Sequence, residues 1–258
     1  MLDLSDSKVG GVGRQERQDM IDQLSRTLAA AGIPPRFADR RLGTFKADRI
    51  TGGARALAAC RSLIETPAGL ILTGPTGVGK THLVAGGLAA RAEAWLTRYP
   101  EPTRTAVVHA PDCVAHECPG ETSDLPTGCP ECTAAKCWRA TTPRPPFTDR
   151  LANVADLLDR IGAWYLEADT DPLSDLVEAE LLILDDLGRE KSTERTCERL
   201  YVLVNRRYEL CRPTVLTTNY IVEDLCGRGY DVIVSRIVEG GGRVVKLGKA
   251  DEDQRMKP

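Results

Sequence analysis

Gly74-Pro75-Thr76-Gly77-Val78-Gly79-Lys80-Thr81 has the residue types and spacing of a phosphate-binding loop, G-x-x-x-x-G-K-[ST]. Glycines at these intervals let backbone N–H groups turn inward onto phosphate oxygens. Lys80 can reach the outer phosphates, and the Thr81 hydroxyl can hold Mg²⁺. Further along, Leu181-Leu182-Ile183-Leu184-Asp185-Asp186 is an apolar run closed by two carboxylates, the Walker B arrangement. Asp185 is suited to the Mg²⁺ shell, and Asp186 to orienting or deprotonating an attacking water. Asn219, at the end of Pro213-Thr214-Val215-Leu216-Thr217-Thr218, is a polar side chain placed to feel a γ-phosphate. Together these residues describe phosphoryl transfer from a nucleoside triphosphate to water.

Such groups need rigid elements behind them. Residues 68–73 form a short apolar run before the loop, the mark of a strand buried on both faces. Residues 81–96 lack proline and read as a helix whose N-terminus faces the phosphates. Helical patterns also cover 14–31, 54–65, 173–179, 193–211 and 231–239, and another begins at Val154. Gly32 and then Pro34-Pro35 end the first of these, which carries Met20, Ile21, Leu24 and Leu28 on one face. That face can pack on the core or dock a partner. Residues 243–247 read as a last strand, and either 105–110 or 151–154 supplies the second core strand. Strands alternating with helices predict an α/β fold with a parallel, helix-covered sheet.

Composition narrows the class. The chain has 258 residues, 42% of them hydrophobic, enough for one α/β domain with an extension. A net charge of −3 argues against a generally basic nucleic-acid coat and leaves room for local basic patches. No run of 18 apolar residues occurs, and the acidic start lacks a signal peptide's pattern, so a cytoplasmic protein without a membrane span is expected. Nine cysteines in that compartment read as thiols or metal ligands rather than disulfides.

Five of them, Cys113, Cys118, Cys129, Cys132 and Cys137, fall in one stretch rich in Pro, Gly and Thr, with His109 and His116. Cys129-Pro130-Glu131-Cys132 is a C-x-x-C knuckle, half of a structural Zn²⁺ site. Cys137 and Cys118 can complete it, with Cys113 or His116 as competing ligands. A metal would let a segment poor in apolar residues fold. Incidental thiols or a redox pair are the alternatives. Cys60, Cys197, Cys211 and Cys226 read as packing residues within or at the ends of helices.

The order of motifs resembles the AAA+ ATPases of the DnaC/IstB type, which include replicative-helicase loaders and transposition ATPases. The resemblance is carried by Gly74 to Thr81, by Leu182-Ile183-Leu184-Asp185-Asp186-Leu187-Gly188, by Leu200-Tyr201, and by Asn205-Arg206-Arg207-Tyr208. Thr217-Thr218-Asn219, Ser235-Arg236-Ile237 and Val244 to Gly248 complete it. It implies a P-loop AAA+ core over 46–258 interrupted by a Cys-rich insertion at 109–146, with residues 1–45 as a helical, partner-binding extension. The short stretch after the last strand leaves no room for the usual helical lid, as in the loader branch. It further implies ATP with Mg²⁺, sensor 1 at Asn219, and self-association through an arginine finger at Arg236, with Arg228 as its substitute. The implied partners are a replicative DNA helicase and single-stranded DNA. Arg206 and Arg207 are candidate DNA contacts, or equally charges on a solvated helix face. A transposase, or a nucleotide-dependent zinc adaptor without turnover, is the alternative.

Overall fold

The computed structural model describes residues 11–99, 107–108, 138–139, 145–167, 173–190, 193–249 and 251–253. In chain order its elements are α1 (Gly11–Ala30), α2 (Gly53–Glu65), β1 (Leu70–Thr73), α3 (Lys80–Arg98), β2 (Val107–Val108), β3 (Trp138–Arg139), β4 (Arg150–Asn153), α4 (Val154–Glu167), α5 (Ser174–Glu178), β5 (Leu182–Leu187), α6 (Glu194–Glu209), β6 (Thr214–Thr218), α7 (Val222–Leu225), α8 (Asp231–Glu239) and β7 (Arg243–Lys246). They divide into two compact units, one of Met1–Trp95 with Phe147–Pro258, the other of Leu96–Pro146.

The first unit holds a five-stranded sheet in the order β4-β5-β6-β1-β7, with every pairing parallel. The second core strand is therefore 150–153. Val107–Val108 pairs instead with Trp138–Arg139 in an antiparallel ladder of the other unit. Successive side chains of the central strands go to opposite faces. Leu70, Leu72, Ile183 and Val215 join α2 and α3 on one side. Ile71, Leu182, Leu184 and Leu216 join α4, α5, α6 and α8 on the other. Both faces are covered, which is why these strands read as unbroken apolar runs.

The helices bury stripes at helical spacing. α2 buries Ala56, Ala59, Cys60 and Leu63. α6 buries Leu200, Leu203, Val204 and, one turn on, Arg207. α1 ends at Gly32, whose φ of 86° lets the chain turn where a Cβ would meet the Leu151 carbonyl. Leu151 N–H then donates to the Ala31 carbonyl at 2.7 Å, fixing this end of α1 to β4. The apolar face predicted for α1 is split: Leu28 is buried, while Met20 and Ile21 are each 51% exposed. Leu28, Ile33, Leu42 and Phe45 share the core with α2 and α3, so the part of 1–45 beyond Leu28 is not a separate layer. Among the described residues no helix is long and apolar enough to cross a membrane.

Candidate functional site

Strands β1, β5 and β6 lie side by side with their C-terminal ends together, and the motif residues sit at those ends. The loop after β1 closes onto α3. At Gly79 (φ 92°) an added Cβ would strike the Phe45 ring, so only glycine admits this approach. Lys80 opens α3 and is 6% exposed. Its Nζ donates to the carbonyls of Gly74 (2.7 Å) and Pro75 (2.8 Å) and to Asn219 Oδ1 (2.8 Å). A buried ammonium needs such acceptors.

Thr81 Oγ1 lies 3.1 and 3.0 Å from the two carboxylate oxygens of Asp185, and donates to them. Thr217 Oγ1 donates to Asp185 Oδ1 at 2.6 Å and accepts the Asp186 N–H at 2.9 Å. Burial pushes the Asp185 carboxyl above its ordinary range; the hydroxyls of Thr217 and Thr81 pull it back. The β5–β6 register shifts between Leu184 and Leu187, and Asp186 stands at φ 67° within that irregularity. A bulge re-aims side chains, and aspartate tolerates the left-handed region better than most residues. Asp186 Oδ1 accepts from Asn219 Nδ2, and Oδ2 from Arg189 Nη1, both at 2.8 Å.

Lys80, Asn219, Asp186 and Arg189 thus form one hydrogen-bonded chain, and Thr81, Asp185 and Thr217 a second beside it. Sequence reading anticipated all of these except Thr217 and Arg189. Thr217 stood in the Thr-Thr-Asn element, and Arg189 follows the acidic pair by three residues. The arrangement presents a cation, a carboxylate–hydroxyl pair of hard oxygen donors, and a second carboxylate held by an amide. Of the other loop residues, Val78 is fully buried, while Pro75 and Thr76 lie nearer the surface.

The remaining predicted residues lie elsewhere. Arg236 is on α8, its guanidinium 4.6 Å above the Tyr208 ring and its Nη1 3.2 Å from Glu239 Oε2. Its Nε is buried with no acceptor among the described residues. Arg228 stacks on Tyr220 at 4.0 Å. Arg207 corrects an expectation. Offered as a DNA contact, it is 0% exposed, and donates to the carbonyls of Leu176, Val177, Ala179 and Pro213 and to Thr214 Oγ1. Arg206 beside it is exposed. Cys60 is buried as expected of a packing residue, but Cys211 is exposed and Cys197 and Cys226 are only half-buried. His82 is structural: Nε2 lies 3.1 Å from the Arg41 carbonyl and 3.2 Å from Thr44 Oγ1, with the ring edge-on to Phe45. Cys113, Cys118, Cys129, Cys132, Cys137, His109 and His116 lie outside the described residues.

No family model matches the chain, and no curated protein sequence matches it. Solved structures do. The DnaC helicase loader is 22% identical, with a TM-score of 0.56, over 83% of this chain and 99% of that one. DnaI is 15% identical, with a TM-score of 0.54, over 86% and 94%. AMPPCP-bound DnaA from Aquifex aeolicus is 17% identical, with a TM-score of 0.50, over 86% and 53%. The fold of this chain is therefore the AAA+ P-loop fold that DnaC, DnaI and DnaA share.

Proposed function

We propose that the chain binds ATP with Mg²⁺, hydrolyses it, and uses that cycle to deliver a replicative DNA helicase to single-stranded DNA in the cytoplasm. The observation that carries the ATPase reading is the meeting of Lys80, Thr81, Asp185, Asp186 and Asn219 at one end of the sheet. The delivery reading is supported by likeness to the DnaC helicase loader over nearly all of that protein's length.

Thr81 Oγ1 and the buried Asp185 carboxylate fit a hard divalent cation. Bound there with nucleotide, Mg²⁺ supplies neutralisation of charge on the outer phosphates. Lys80 would exchange the Gly74 and Pro75 carbonyls for phosphate oxygens. Asp186 would orient the attacking water and accept its proton, with Asn219 and Arg189 fixing the carboxylate. Arg236 of a neighbouring copy would reach the transferring phosphoryl group. To do so it would leave Glu239 and the Tyr208 ring, contacts of a side chain that is 31% exposed. Exposed Met20 and Ile21 on α1 are the proposed helicase contact, and Arg206 a DNA contact. The cysteine-rich stretch is proposed, on its sequence, to hold structural Zn²⁺. One equivalent of zinc in the purified protein, lost in Cys129→Ser, is the expected result.

The test is size exclusion of the chain with ATP, Mg²⁺ and its host's replicative helicase. Co-elution that Met20→Ser/Ile21→Ser abolishes supports the loader. No complex, with turnover still stimulated by DNA, moves the reading to a transposase partner. The capture of Asp186 between Asn219 and Arg189 favours one further reading, a nucleotide-dependent adaptor. Absence of turnover with DNA and helicase both present selects it.

A further inference from the structure

The chain does not leave the sheet after β7. Leu247 N–H donates to the Thr73 carbonyl and Gly248 N–H to the Thr51 carbonyl, both at 2.7 Å, so the backbone passes alongside the phosphate loop. Gly248 sits against Val78 of that loop, where a Cβ would collide with the valine side chain. Glu252 then clips the segment down. Its carboxylate accepts from Thr51 N–H (3.0 Å), Thr51 Oγ1 (2.7 Å) and Lys249 N–H (3.0 Å).

The next residue, Asp253, sets its carboxylate directly over Gly77. A Cβ added there would land on it, and Gly77 itself stands at φ 85°, the turn that aims the loop's amides. A nest of backbone N–H groups at the start of a long helix attracts anions, and a carboxylate is one. Asp251 is exposed, Glu252 and Asp253 are half-buried, and none of the three has an apolar side chain to anchor it. Charged hydrogen bonds near the surface are strong enough to place such a segment and weak enough to exchange.

We propose that Asp253, clipped in place by Glu252 on Thr51, holds the position of a nucleotide phosphate at the Gly77 turn, so that this acidic segment competes with nucleotide for the loop. The proposal rests on the nucleotide-binding reading above. It makes nucleotide entry a displacement: the observed affinity is the intrinsic one reduced by the fraction of molecules whose segment has let go.

The test is equilibrium titration of the full chain with a fluorescent ATP analogue and Mg²⁺, comparing wild type with three substitutions. Asp253→Ala is expected to tighten binding by roughly three- to tenfold. Glu252→Gln, which loosens the clip and leaves Asp253 intact, tightens it less. Asp251→Asn, which removes the same charge from an exposed neighbour, leaves it unchanged. Tightening by Asp251→Asn equal to that by Asp253→Ala would reduce the effect to net charge and overturn the proposal. Wild type binding as tightly as Asp253→Ala would overturn it while leaving the nucleotide site standing. Failure of all four proteins to bind would overturn both readings together.

Discussion

The two ends of the sheet each bury charge, and they treat it differently. Where β4, β5 and β6 begin, Arg91 and Asp149 pair at 8% and 1% exposure, and Glu180 adds a contact to Arg91 at 3.1 Å. Asp149 also accepts the Leu181 N–H, and Arg91 donates to the Leu63 carbonyl. Arg207, alongside, donates to four main-chain carbonyls and a threonine hydroxyl. These partners belong mostly to the backbone and cannot exchange. Where β1, β5 and β6 finish, Lys80, Asp185 and Asp186 are held by loop carbonyls, hydroxyls, one amide and the exposed Arg189 guanidinium, each replaceable by a phosphate, a cation or a water. A closed set of partners makes a buried charge structural. An exchangeable set makes it available for chemistry.

Removing one cation from each end tests this contrast, and the largest effects are expected here. Arg207→Ala leaves four carbonyls without their donor and should cost about 3–5 kcal/mol of stability by denaturant titration, since each buried acceptor left unpaired costs about 1–3 kcal/mol. Lys80→Ala should reduce ATP turnover by about a hundredfold or more with a far smaller change in stability. If Lys80→Ala unfolds the protein and Arg207→Ala does not, the contrast is wrong. Persistence of turnover in Lys80→Ala would remove the loop from the chemistry altogether.

Asp186→Asn comes next. The amide keeps the size of the carboxylate and loses its basicity, so turnover should fall by about a hundredfold while nucleotide affinity is retained. Equal loss of both would make Asp186 a binding residue instead.

Asp185→Asn sharpens the contrast from the stability side. Burial raises the Asp185 pKa above 3.8, so its charged form is a cost to the fold. That cost is absent below pH 3.8, grows as pH rises toward the folded pKa, and is complete above it. An asparagine can still accept from Thr217 and donate to Thr81. The variant should therefore melt higher than wild type by roughly 2–4 °C at pH 7, while Mg²⁺-dependent nucleotide binding weakens. A lower melting temperature would mean that the hydroxyl donors outweigh desolvation.

The same contrast explains what could be read in the sequence. The exchangeable end is built from motif residues at fixed spacing, and the strands beneath it are unbroken apolar runs, so Lys80, Thr81, Asp185, Asp186 and Asn219 were all legible. The closed end has no motif. By residue type alone Arg207 reads like its neighbour Arg206, as an arginine on an exposed helix face. Its phase was the available signal: it stands seven residues after Leu200 and three after Val204, on the buried stripe of α6. Arg91 likewise follows Val84 by seven and Leu88 by three. The clip between Thr51 and Glu252 had no local signal, since it joins residues 201 positions apart. Nor did residues 33–50 announce their place in the core, because their three short 3₁₀ turns lack the periodicity that marks a helix.

The smallest effect expected lies where that irregular connector meets the loop. His82, in the first turn of α3, holds the Arg41 carbonyl, and its ring backs Phe45, which itself closes on Gly79. Burial lowers the His82 pKa from 6.5, with the Arg41 contact opposing it. A base with a lowered folded pKa favours the fold while neutral. That contribution is complete above pH 6.5 and is lost as pH falls from 6.5 through the folded value. Melting temperature should therefore decline on acidification from pH 7 more steeply in wild type than in His82→Gln, which can still donate to the carbonyl and does not titrate. Because His82 stands beside Lys80 and Thr81, nucleotide affinity should weaken over the same pH window in wild type alone. Identical pH profiles for the two proteins would place the connector's hold on the loop in the packing of Phe45 rather than in the imidazole.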